Sequence, residues 1–370
     1  MSHTFTTSFV FSVVVPCYNE EATLVQSVER LLEIADEHLS LEVLIVDDCS
    51  TDKSLQLAQE LAERHNEIRI LQHDRNQGKG AALRTGFQQA TGDYVGIHDA
   101  DLEYNPQDLR CLLEPLLEGK ADAVFGSRYL SGKARRVLYF YHTMVNKCLT
   151  FISNMFTDLM LTDMETCYKL FRRELIQSID LREDRFGIEP EMVSKVAQTG
   201  ARIYEIGISY EGRTYDEGKK IGWKDGIRAL YCLMRYNAYR APMPIQFFIY
   251  LFIGGTAAVF NAVCFLLLLL AMPSGLAAFI AFIAAAYLNY ELCIRLLFRS
   301  RVRWNATSEY LYYWISVGGI GILDASATSW LMSLDFTPLS AKLWATSGSL
   351  ILNFAARKYL VFYEKTKQPF

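Results

Sequence analysis

Several common types of site are missing from this sequence. Its eight cysteines stand singly, with no Cys-x-x-Cys pair, so neither a disulfide framework nor a zinc site is indicated. The net charge of -4 provides no basic surface for nucleic acid. Residues 1–8 are polar and the apolar run after them has only the length of a strand, so we expect no signal peptide.

Charged residues are also scarce in one part of the chain. They are frequent up to about residue 240 and sparse after it, where long apolar runs begin. A mean hydropathy of +0.10 alongside 21% charged residues indicates two halves of different character. We predict a cytosolic domain over residues 1–240 and a membrane domain over residues 241–370.

The first half alternates short apolar runs with amphipathic segments. This alternation predicts an α/β fold with a doubly wound sheet, in which ligands bind beyond the carboxyl ends of the strands. Pro16 is expected to end the first strand. The predicted strands cover 9–15, 41–46, 68–71, 94–97, 121–125 and 201–206, and predicted helices cover 21–38, 53–64 and a segment from about residue 81.

Two loops in this half carry candidate phosphate-binding groups. Asp99, Asp101 and Glu103 follow a predicted strand, and alternation along an extended chain places them on one side. Such an all-oxygen cluster suits Mg²⁺ or Mn²⁺, although a solvated turn is the alternative. In Gly78-Lys79-Gly80, an ammonium group and backbone N–H groups precede a helix, but the spacing of a Walker loop is absent.

Taken together, the motifs of residues 9–240 resemble the inverting glycosyltransferases of family 2. The motifs are Val14-Val15-Pro16-x-Tyr18-Asn19-Glu20, Val46-Asp47-Asp48-x-Ser50-x-Asp52, Gly78-Lys79-Gly80 and Asp99-Ala100-Asp101. Two further motifs resemble the branch that makes polyprenyl-phosphate sugars, the dolichol-phosphate mannose synthase type: Gly126-Ser127-Arg128-Tyr129 and Arg213-x-Tyr215-x-x-Gly218-Lys219-Lys220. The resemblance implies a GT-A type fold with a mixed, mostly parallel sheet.

The resemblance also implies roles for individual residues. The donor nucleotide would be bound by Pro16, Tyr18, Glu20, Asp48, Lys79 and Asp99. A Mn²⁺ or Mg²⁺ ion would be held by Asp99, Asp101 and Glu103, and catalysis would involve Asp101, Arg128 and Asp163. The acceptor and its phosphate would be bound by Arg128, Lys169, Arg202, Arg213, Lys219 and Lys220.

One stretch departs from the family pattern. Cys167-Tyr168-Lys169 stands where the family usually has Gly-Phe followed by Arg or Lys, so only Asp163 and Lys169 are carried over from this region. The acidic residue on the acceptor side would be Glu189 or Glu191. Either could instead be a charge favoured at the start of a helix.

Two segments of the first half are candidates for helices in the membrane interface. Residues 135–161 begin with basic residues and carry an apolar face, which is typical of interfacial helices, and residues 223–242 are assigned in the same way. A helix packed against the rest of the domain is the alternative. The expected face comprises Leu138, Tyr141, Val145, Leu149, Ile152 and Phe156.

The second half contains four apolar segments that are long enough to span a bilayer. They cover about 246–271, 276–298, 310–334 and 340–362, and about 22 residues of helix measure roughly 33 Å. Arginines and lysines occur before the first span, between the second and third, and after the fourth. The positive-inside rule therefore places the catalytic domain and both termini in the cytoplasm.

These four segments also repeat with a period of 64 residues. Gly254, Gly255, Asn289 and Phe298 recur as Gly318, Gly319, Asn353 and Phe362. The duplicated hairpin resembles the GtrA-like membrane domain fused to some polyprenyl-phosphate sugar synthases. We expect the glycines to allow close helix packing, the two asparagines to bond across helices, and Asp324 to be functional because carboxylates are costly in a membrane.

These observations predict metal-dependent, inverting transfer of a hexose to polyprenyl or dolichyl phosphate at the cytoplasmic face. Mannose from GDP-mannose is the first expectation and glucose from UDP-glucose the second. A processive polysaccharide synthase is the first alternative, against which the four spans and the missing Gln-x-x-Arg-Trp motif argue. The other is a non-enzymatic flippase or scaffold for lipid-linked sugars, and homo-oligomerisation stays open.

Overall fold

A computed structural model of the chain describes residues 8–130, 136, 139–212, 223–298 and 306–362. The chain divides into two units, Met1–Asn237 and Ala238–Phe370. The described residues of the first unit form a sheet with helices, whereas those of the second unit form helices alone.

A seven-stranded sheet is the centre of the first unit. Its strands are β1 (Phe9–Cys17), β2 (Leu39–Asp47), β3 (Ile68–Gln72), β4 (Tyr94–Ile97), β5 (Ala123–Ser127), β6 (Lys169–Arg172) and β7 (Ile203–Gly207). They lie in the order β3-β2-β1-β4-β6-β5-β7, and only β6 runs antiparallel to its neighbours. The predicted α/β fold of GT-A type, with a mixed and mostly parallel sheet, is confirmed.

The central strands are unbroken apolar runs because both faces of the sheet are covered. Val13 and Val43, for example, are fully buried. β1 continues through Pro16 to Cys17, beyond its predicted end at residue 15. Proline fits there because β4 pairs with β1 only as far as Val14, so the missing N–H of Pro16 costs no hydrogen bond on that side.

Strand β6 is absent from the predicted strands. It has only four residues and is charged at both ends, at Lys169 and Arg172, so it lacks the apolar run that marks the others. Its pairing with β4 and β5 buries Leu170 and Phe171 completely. Because β6 is antiparallel, Lys169 at its start lies at the edge of the sheet where the parallel strands end.

Helices flank the sheet on both faces. They are α1 (Leu24–Leu32), α2 (Ser54–Arg64), α3 (Lys79–Gln89), α4 (Gln107–Leu117), α5 (Phe140–Thr157), α6 (Arg173–Ser178), α7 (Ile188–Gln198) and α8 (Trp223–Asn237). α1 is shorter than its predicted span, and α3 begins at Lys79, so the lysine belongs to the first turn of that helix.

The apolar surface of α5 is divided between the interior and the exterior of its unit. Leu149 and Phe156 are buried, whereas Phe140, Tyr141 and Phe151 are 69%, 81% and 63% exposed. The single apolar face expected over residues 135–161 is therefore wrong in part, because two of its members pack inside the protein. The exposed aromatic residues form a second apolar surface that faces away from the core.

The second unit contains four long helices, α9 (Met243–Leu268), α10 (Ser274–Leu292), α11 (Ala306–Ser333) and α12 (Pro338–Ala356). Within the described residues, three helical segments are long and apolar enough to cross a membrane: Met243–Leu268, Phe279–Phe298 and Thr307–Ser333. The fourth predicted span corresponds to α12, and its crossing of the bilayer stays a prediction.

The 64-residue repeat has a structural counterpart in this unit. α10 and α12 each continue into a π-helical turn, which begins at Cys293 in one and at Arg357 in the other, 64 residues later. Phe298 and Phe362, also 64 residues apart, stack with ring centroids 5.1 Å apart. Because α9 packs on α10 and α11 on α12, the two repeats form two similar hairpins.

The repeated glycines do not act as expected, whereas Asn289 does. A Cβ atom built on Gly254 or Gly318 meets nothing within 4 Å, so close packing at these glycines is wrong for the described residues. Asn289 bonds across helices, because it accepts a hydrogen bond from Arg357 in the turn after α12. The unit is held instead by an aromatic core that includes Tyr250, Tyr290, Tyr313, Phe298, Phe354 and Phe362.

Candidate active site

The candidate site lies at the edge of the sheet where the parallel strands end, as the sequence predicts. The loops after β1, β2, β4 and β5 meet there and carry most of the predicted donor-site residues. Backbone and side-chain hydrogen bonds join neighbouring loops. Asn19, for example, donates its backbone N–H to Ser50 Oγ at 3.1 Å and accepts one from Thr51 N at 2.8 Å.

Asp48 is buried and organises the loop that precedes α3. It accepts the backbone N–H groups of Gln77 at 2.9 Å and Gly78 at 2.6 Å, and His73 Nδ1 lies 2.7 Å from its Oδ1. The backbone N–H of Ala81, in the first turn of α3, donates to the carbonyl of Asp184. The Lys79 side chain is the charged group of this helix start.

Lys79 joins two carboxylates from different parts of the chain. Its Nζ lies 3.0 Å from Asp99 Oδ1 and 3.2 Å from Glu189 Oε1. Burial favours the neutral form of Lys79, but the charges of Asp99 and Glu189 outweigh it and hold the pKa of the ammonium well above its usual range. Burial also favours the neutral form of Asp99, which by itself would raise its pKa. The charge of Lys79 more than offsets this effect, so the pKa of Asp99 is lowered. Both groups are charged at neutral pH.

The other two predicted metal ligands have separate protein partners. Asp101 Oδ1 accepts the backbone N–H of Glu103 at 3.1 Å, and Glu103 Oε2 accepts the hydroxyl of Tyr210 at 2.8 Å. Within the residues that the structure describes, no three His, Cys, Asp or Glu side chains are arranged to hold a metal ion. The donor atoms are of the type that suits Mg²⁺ or Mn²⁺, so the set fits a divalent ion by its chemistry.

Arg128 and Asp163, two predicted catalytic residues, form a buried bidentate pair. Nε and Nη2 of Arg128 each donate at 2.7 Å to Asp163, whose side chain is fully buried. Glu205 anchors Asp163 in turn, because it accepts the Asp163 backbone N–H at 3.1 Å. The guanidinium also lies over the ring of Tyr210, 5.2 Å from its centroid. Asp163 therefore orients Arg128 at the end of β5.

His98 is part of a hydrogen-bond network that holds the loop carrying Asp99, Asp101 and Glu103, called here the acidic loop. Its ring nitrogens lie 2.9 Å from Ser27 Oγ and 3.0 Å from the Tyr168 hydroxyl, and Ser27 Oγ also donates to the carbonyl of Asp101 at 3.0 Å. Burial lowers the pKa of His98 to about 4, so the imidazole is neutral at physiological pH. Ser27 has no predicted role, and its position on the buried face of α1 is the one feature of the sequence that points to it.

Two carboxylates, the half-buried Glu165 and the buried Glu189, complete the site. Glu165 Oε1 and Glu189 Oε2 have no hydrogen-bond partner among the described residues. Burial and the nearby charge of Glu189 raise the pKa of Glu165 to about 8, so Glu165 is largely protonated at pH 7. Glu189 was one of the two expected acceptor-side acids. The other, Glu191, is occupied by the backbone N–H groups of Arg182 and Glu183 and holds the segment before α7 in place.

The remaining predicted residues fall into three groups. Tyr18 is 40% exposed at the sheet edge, and Lys169 at the same edge is fully buried, with Nζ donating to the Met164 carbonyl at 2.9 Å. Arg202 lies before β7, at the opposite edge, and pairs with Asp122 at 2.8 Å. The structure therefore does not bring Arg202 to the site. Arg213, Lys219 and Lys220 lie outside the described residues.

Comparisons with known proteins agree with this architecture. Residues 12–180 match the family described as glycosyl transferase family 2, and residues 249–362 match the GtrA/DPMS transmembrane domain. A dolichol-phosphate mannosyltransferase of Pyrococcus furiosus is 27% identical over 230 residues, covering 61% of this chain and 64% of that protein. A dodecaprenyl-phosphate galacturonate synthase of Rhizobium johnstonii is 28% identical over 215 residues, covering 57% of this chain and 62% of that protein.

The chain thus spans less than two thirds of the length of these curated relatives. Among solved structures, glucosyl-3-phosphoglycerate synthase of Mycobacterium tuberculosis superposes with a TM-score of 0.49 at 18% identity, over 61% of this chain and 80% of that chain. One family match lies within the sheet-bearing unit and the other within the helical unit. The chain therefore joins a family 2 glycosyltransferase domain to a GtrA/DPMS transmembrane domain.

Proposed function

We propose that this protein transfers a hexose from a nucleotide-diphosphate sugar to a polyprenyl phosphate, with inversion at the anomeric carbon, at the cytoplasmic face of a membrane. The observation that carries the proposal is the grouping of Asp48, Lys79, Asp99 and the Arg128–Asp163 pair around one edge of the sheet. The names of two relatives, dolichol-phosphate mannosyltransferase and dodecaprenyl-phosphate galacturonate synthase, support the acceptor class. Mannose is the first donor to test.

The acceptor explains why the site needs cations more than a strong base. A phosphate monoester is already anionic at neutral pH, so its oxygen can attack the anomeric carbon without losing a proton. The obstacle is repulsion between the acceptor phosphate and the donor diphosphate. Lys79 and Arg128, both charged and both held by carboxylates, would offset that repulsion and stabilise the departing diphosphate.

A divalent ion would add to this charge balance. Asp99, Asp101 and Glu103 are the residues that would hold Mn²⁺ or Mg²⁺, with the donor diphosphate supplying further oxygen ligands. When bound, the ion would neutralise part of the diphosphate charge. Lys79 already neutralises Asp99, which makes Asp101 the carboxylate of the three that we expect to contribute most to metal binding.

The surface of the first unit supports catalysis next to a membrane. α5 exposes Phe140, Tyr141 and Phe151, and α8 exposes Ile227, which is 59% accessible, beside the basic residue Arg228. Apolar side chains combined with basic residues are typical of helices that lie in the membrane interface. These two helices would hold the site near the lipid phosphate.

Transfer assays would test the proposal directly. Purified full-length protein in detergent is given undecaprenyl phosphate and radiolabelled GDP-mannose, UDP-glucose or UDP-galacturonate, with Mn²⁺ or with chelator. We expect lipid-extractable label from one donor, sensitive to chelator and carrying one sugar per lipid. A long polymer would indicate a processive synthase, and no label from any donor would contradict the proposal.

The acidic loop has its own test within the same assay. Asp101→Asn should reduce transfer by roughly 100-fold or more, because the neutral amide removes a charge that metal binding at the diphosphate requires. Asp158→Asn, in a left-handed turn at the end of α5 that asparagine tolerates, is the matched control and should retain transfer. Near-normal, metal-dependent transfer by Asp101→Asn would show that this assignment is wrong.

A further inference from the structure

Arg357 is a buried cation inside the helical unit. It lies in the π-helical turn after α12 and is only 6% exposed. Its guanidinium donates to the Asn289 side chain and to the Tyr313 hydroxyl at 3.4 Å, and it faces the Tyr250 ring at 5.2 Å. Its Nε has no hydrogen-bond partner among the described residues. All of its contacts are thus to neutral groups.

A buried guanidinium without a counterion is costly, and more so within a membrane. Among the residues that the structure describes, none forms an ion pair with Arg357. Glu309, a buried carboxylate of the same unit, accepts the hydroxyl of Tyr290 at 3.0 Å. The charge of Arg357 is therefore left for a group that is not part of the described protein.

A cavity beside Arg357 can accommodate such a group. It has a volume of about 200 Å³, whereas roughly 10–15 Å³ suffices for one water molecule. Arg357, Asn289, Asn261 and Tyr313 line it with side chains that carry polar atoms, and the other walls are apolar, with Phe282, Val317 and several alanines of α9 and α10. The cavity combines a cation and amide donors with apolar walls.

We propose that this cavity, which we call the Arg357 cavity, binds the phosphate of a polyprenyl-phosphate lipid. Arg357 would pair with the phosphate, the amides of Asn261 and Asn289 would add hydrogen bonds, and the prenyl chain would follow the apolar walls. A lipid fits better than a free phosphate ion because the apolar walls can pack against a prenyl chain, whereas they provide no hydrogen bonds to a hydrated ion. The choice of a prenyl lipid rests on the proposed function, whereas the anion site does not.

The two copies of the repeat differ at the position of Arg357. The residue that corresponds to Arg357 in the first repeat is Cys293, which carries no positive charge and lies 3.5 Å from the Arg357 guanidinium. Both repeats contribute to the cavity, since α9 and α10 supply its small residues and the turn after α12 supplies its cation. The second copy of the hairpin therefore completes a site that the first copy alone could not form.

Photolabelling of the full-length protein in nanodiscs would test the Arg357 cavity. The probe is a farnesyl monophosphate with a diazirine beside the phosphate, and labelled peptides are located by mass spectrometry. The variants are Arg357→Gln, which removes the charge, Arg357→Lys, which keeps it, and Ala258→Phe, which fills the cavity and leaves Arg357 in place. Arg295→Gln, at a 75% exposed side chain, and Val259→Phe, at a neighbouring exposed position of α9, are the controls.

We expect labelling of peptides within 257–289 or 353–361 in the wild type. Arg357→Gln and Ala258→Phe should each reduce this labelling at least tenfold, Arg357→Lys should reduce it less, and the controls should stay within twofold. Undecaprenyl phosphate should compete at micromolar concentration, whereas undecaprenol and inorganic phosphate should not.

Unchanged labelling in both Arg357→Gln and Ala258→Phe would overturn the proposal. Equal competition by inorganic phosphate would also overturn it, because the site would then be one for a free ion. Sugar transfer is measured on the same samples, and it separates the two hypotheses. Labelling of the cavity without transfer would contradict the proposed function alone, and transfer without labelling would contradict the Arg357 cavity alone.

Discussion

Two bidentate arginine–aspartate pairs in the first unit differ in their surroundings. Arg128 and Asp163 are buried at the functional edge of the sheet, whereas at the opposite edge Arg202 is exposed and Asp122 is half-buried. Similar hydrogen bonds therefore operate in different dielectric environments. A buried pair that loses one partner leaves an uncompensated charge, but water compensates the same loss at the surface.

This contrast predicts different outcomes for two matched variants. Asp163→Asn should lower the free energy of unfolding by about 3–5 kcal/mol, because the Arg128 guanidinium stays buried without its anion. Asp122→Asn should change stability little, although the interaction with Arg202 lowers the pKa of Asp122 to about 2. Calorimetric unfolding of the full-length protein measures both. Equal effects of the two variants would contradict the electrostatic interpretation.

The raised pKa of Glu165 predicts that the stability of the protein depends on pH. Its pKa is raised from 4.5 to about 8, by burial first and by Glu189 second. Between these values the folded protein binds more protons than the unfolded chain, so the contribution of Glu165 to stability is present at acidic pH and is lost as the pH rises from about 4.5 to about 8. Above that range the carboxylate is charged and buried, and it destabilises the fold.

Glu165→Gln should remove this loss because the amide stays neutral at every pH. The wild-type unfolding temperature, measured by calorimetry from pH 5 to pH 9, should fall more steeply than that of Glu165→Gln. Glu118→Gln, at an exposed site after α4, should follow the wild-type profile. Parallel profiles for the wild type and Glu165→Gln would mean that Glu165 is already charged near neutral pH.

At the scale of elements, the start of α3 depends on close packing with the segment before α7. Gly78 has a positive φ of 102°, and a Cβ added there would come within 2.4 Å of the Asp184 carbonyl oxygen. The backbone N–H of Gly78 also binds Asp48. Glycine at this position therefore joins three parts of the site: the loop after β2, the start of α3 and the segment near Asp184.

Gly78→Ala should destabilise the protein more than Gly119→Ala. Gly119 also has a positive φ, of 69°, but has open space where a Cβ would lie, so alanine there should cost only about 1–2 kcal/mol of backbone strain. Gly78→Ala should add about 1–3 kcal/mol from overpacking. Calorimetry gives both values, and amide exchange at Ala81 should increase in Gly78→Ala alone. Equal costs would show that the Asp184 segment moves aside freely.

Most strands of the sheet are predictable because the local pattern of apolar residues marks them. Parallel strands that are buried on both faces are apolar along their whole length, so β1, β2 and β4 are visible in the sequence. β6 is not visible in the sequence, because it has only four residues with a charge at each end and depends on pairing with the strands on both sides. α5 was predicted as a helix, but the division of its apolar residues between core and surface depends on what packs against it.

At the scale of the whole molecule, the distribution of arginine and lysine predicts the orientation in the membrane. Three arginines, Arg299, Arg301 and Arg303, lie between the second and third apolar segments, and Arg295 lies near the end of the second. The short stretch 272–275 between the first and second segments has no charge. The positive-inside rule then places 272–275 on the external side and both termini in the cytoplasm.

Cysteine labelling would check this orientation. A cysteine placed at Ser274 should react with a membrane-impermeant maleimide added to intact cells, whereas one placed at Ser2 should react only after permeabilisation. Because the native cysteines could also react, both measurements use the wild type as background. Accessibility of position 274 only from the cytoplasm would refute the predicted orientation.

The sequence by itself determined the kinds of groups available and the order of the units. Apolar runs, loop motifs and the 64-residue repeat are local or periodic features, and they identified the α/β domain, the membrane segments and the carboxylates at 99, 101 and 103. Only the tertiary structure decided which partner each charged group takes. Lys79 meets Glu189, Arg128 meets Asp163, and Arg357 meets Asn289 across separations of tens of residues. Those pairings depend on strand order and helix packing, which bring distant residues together, and no local pattern encodes them.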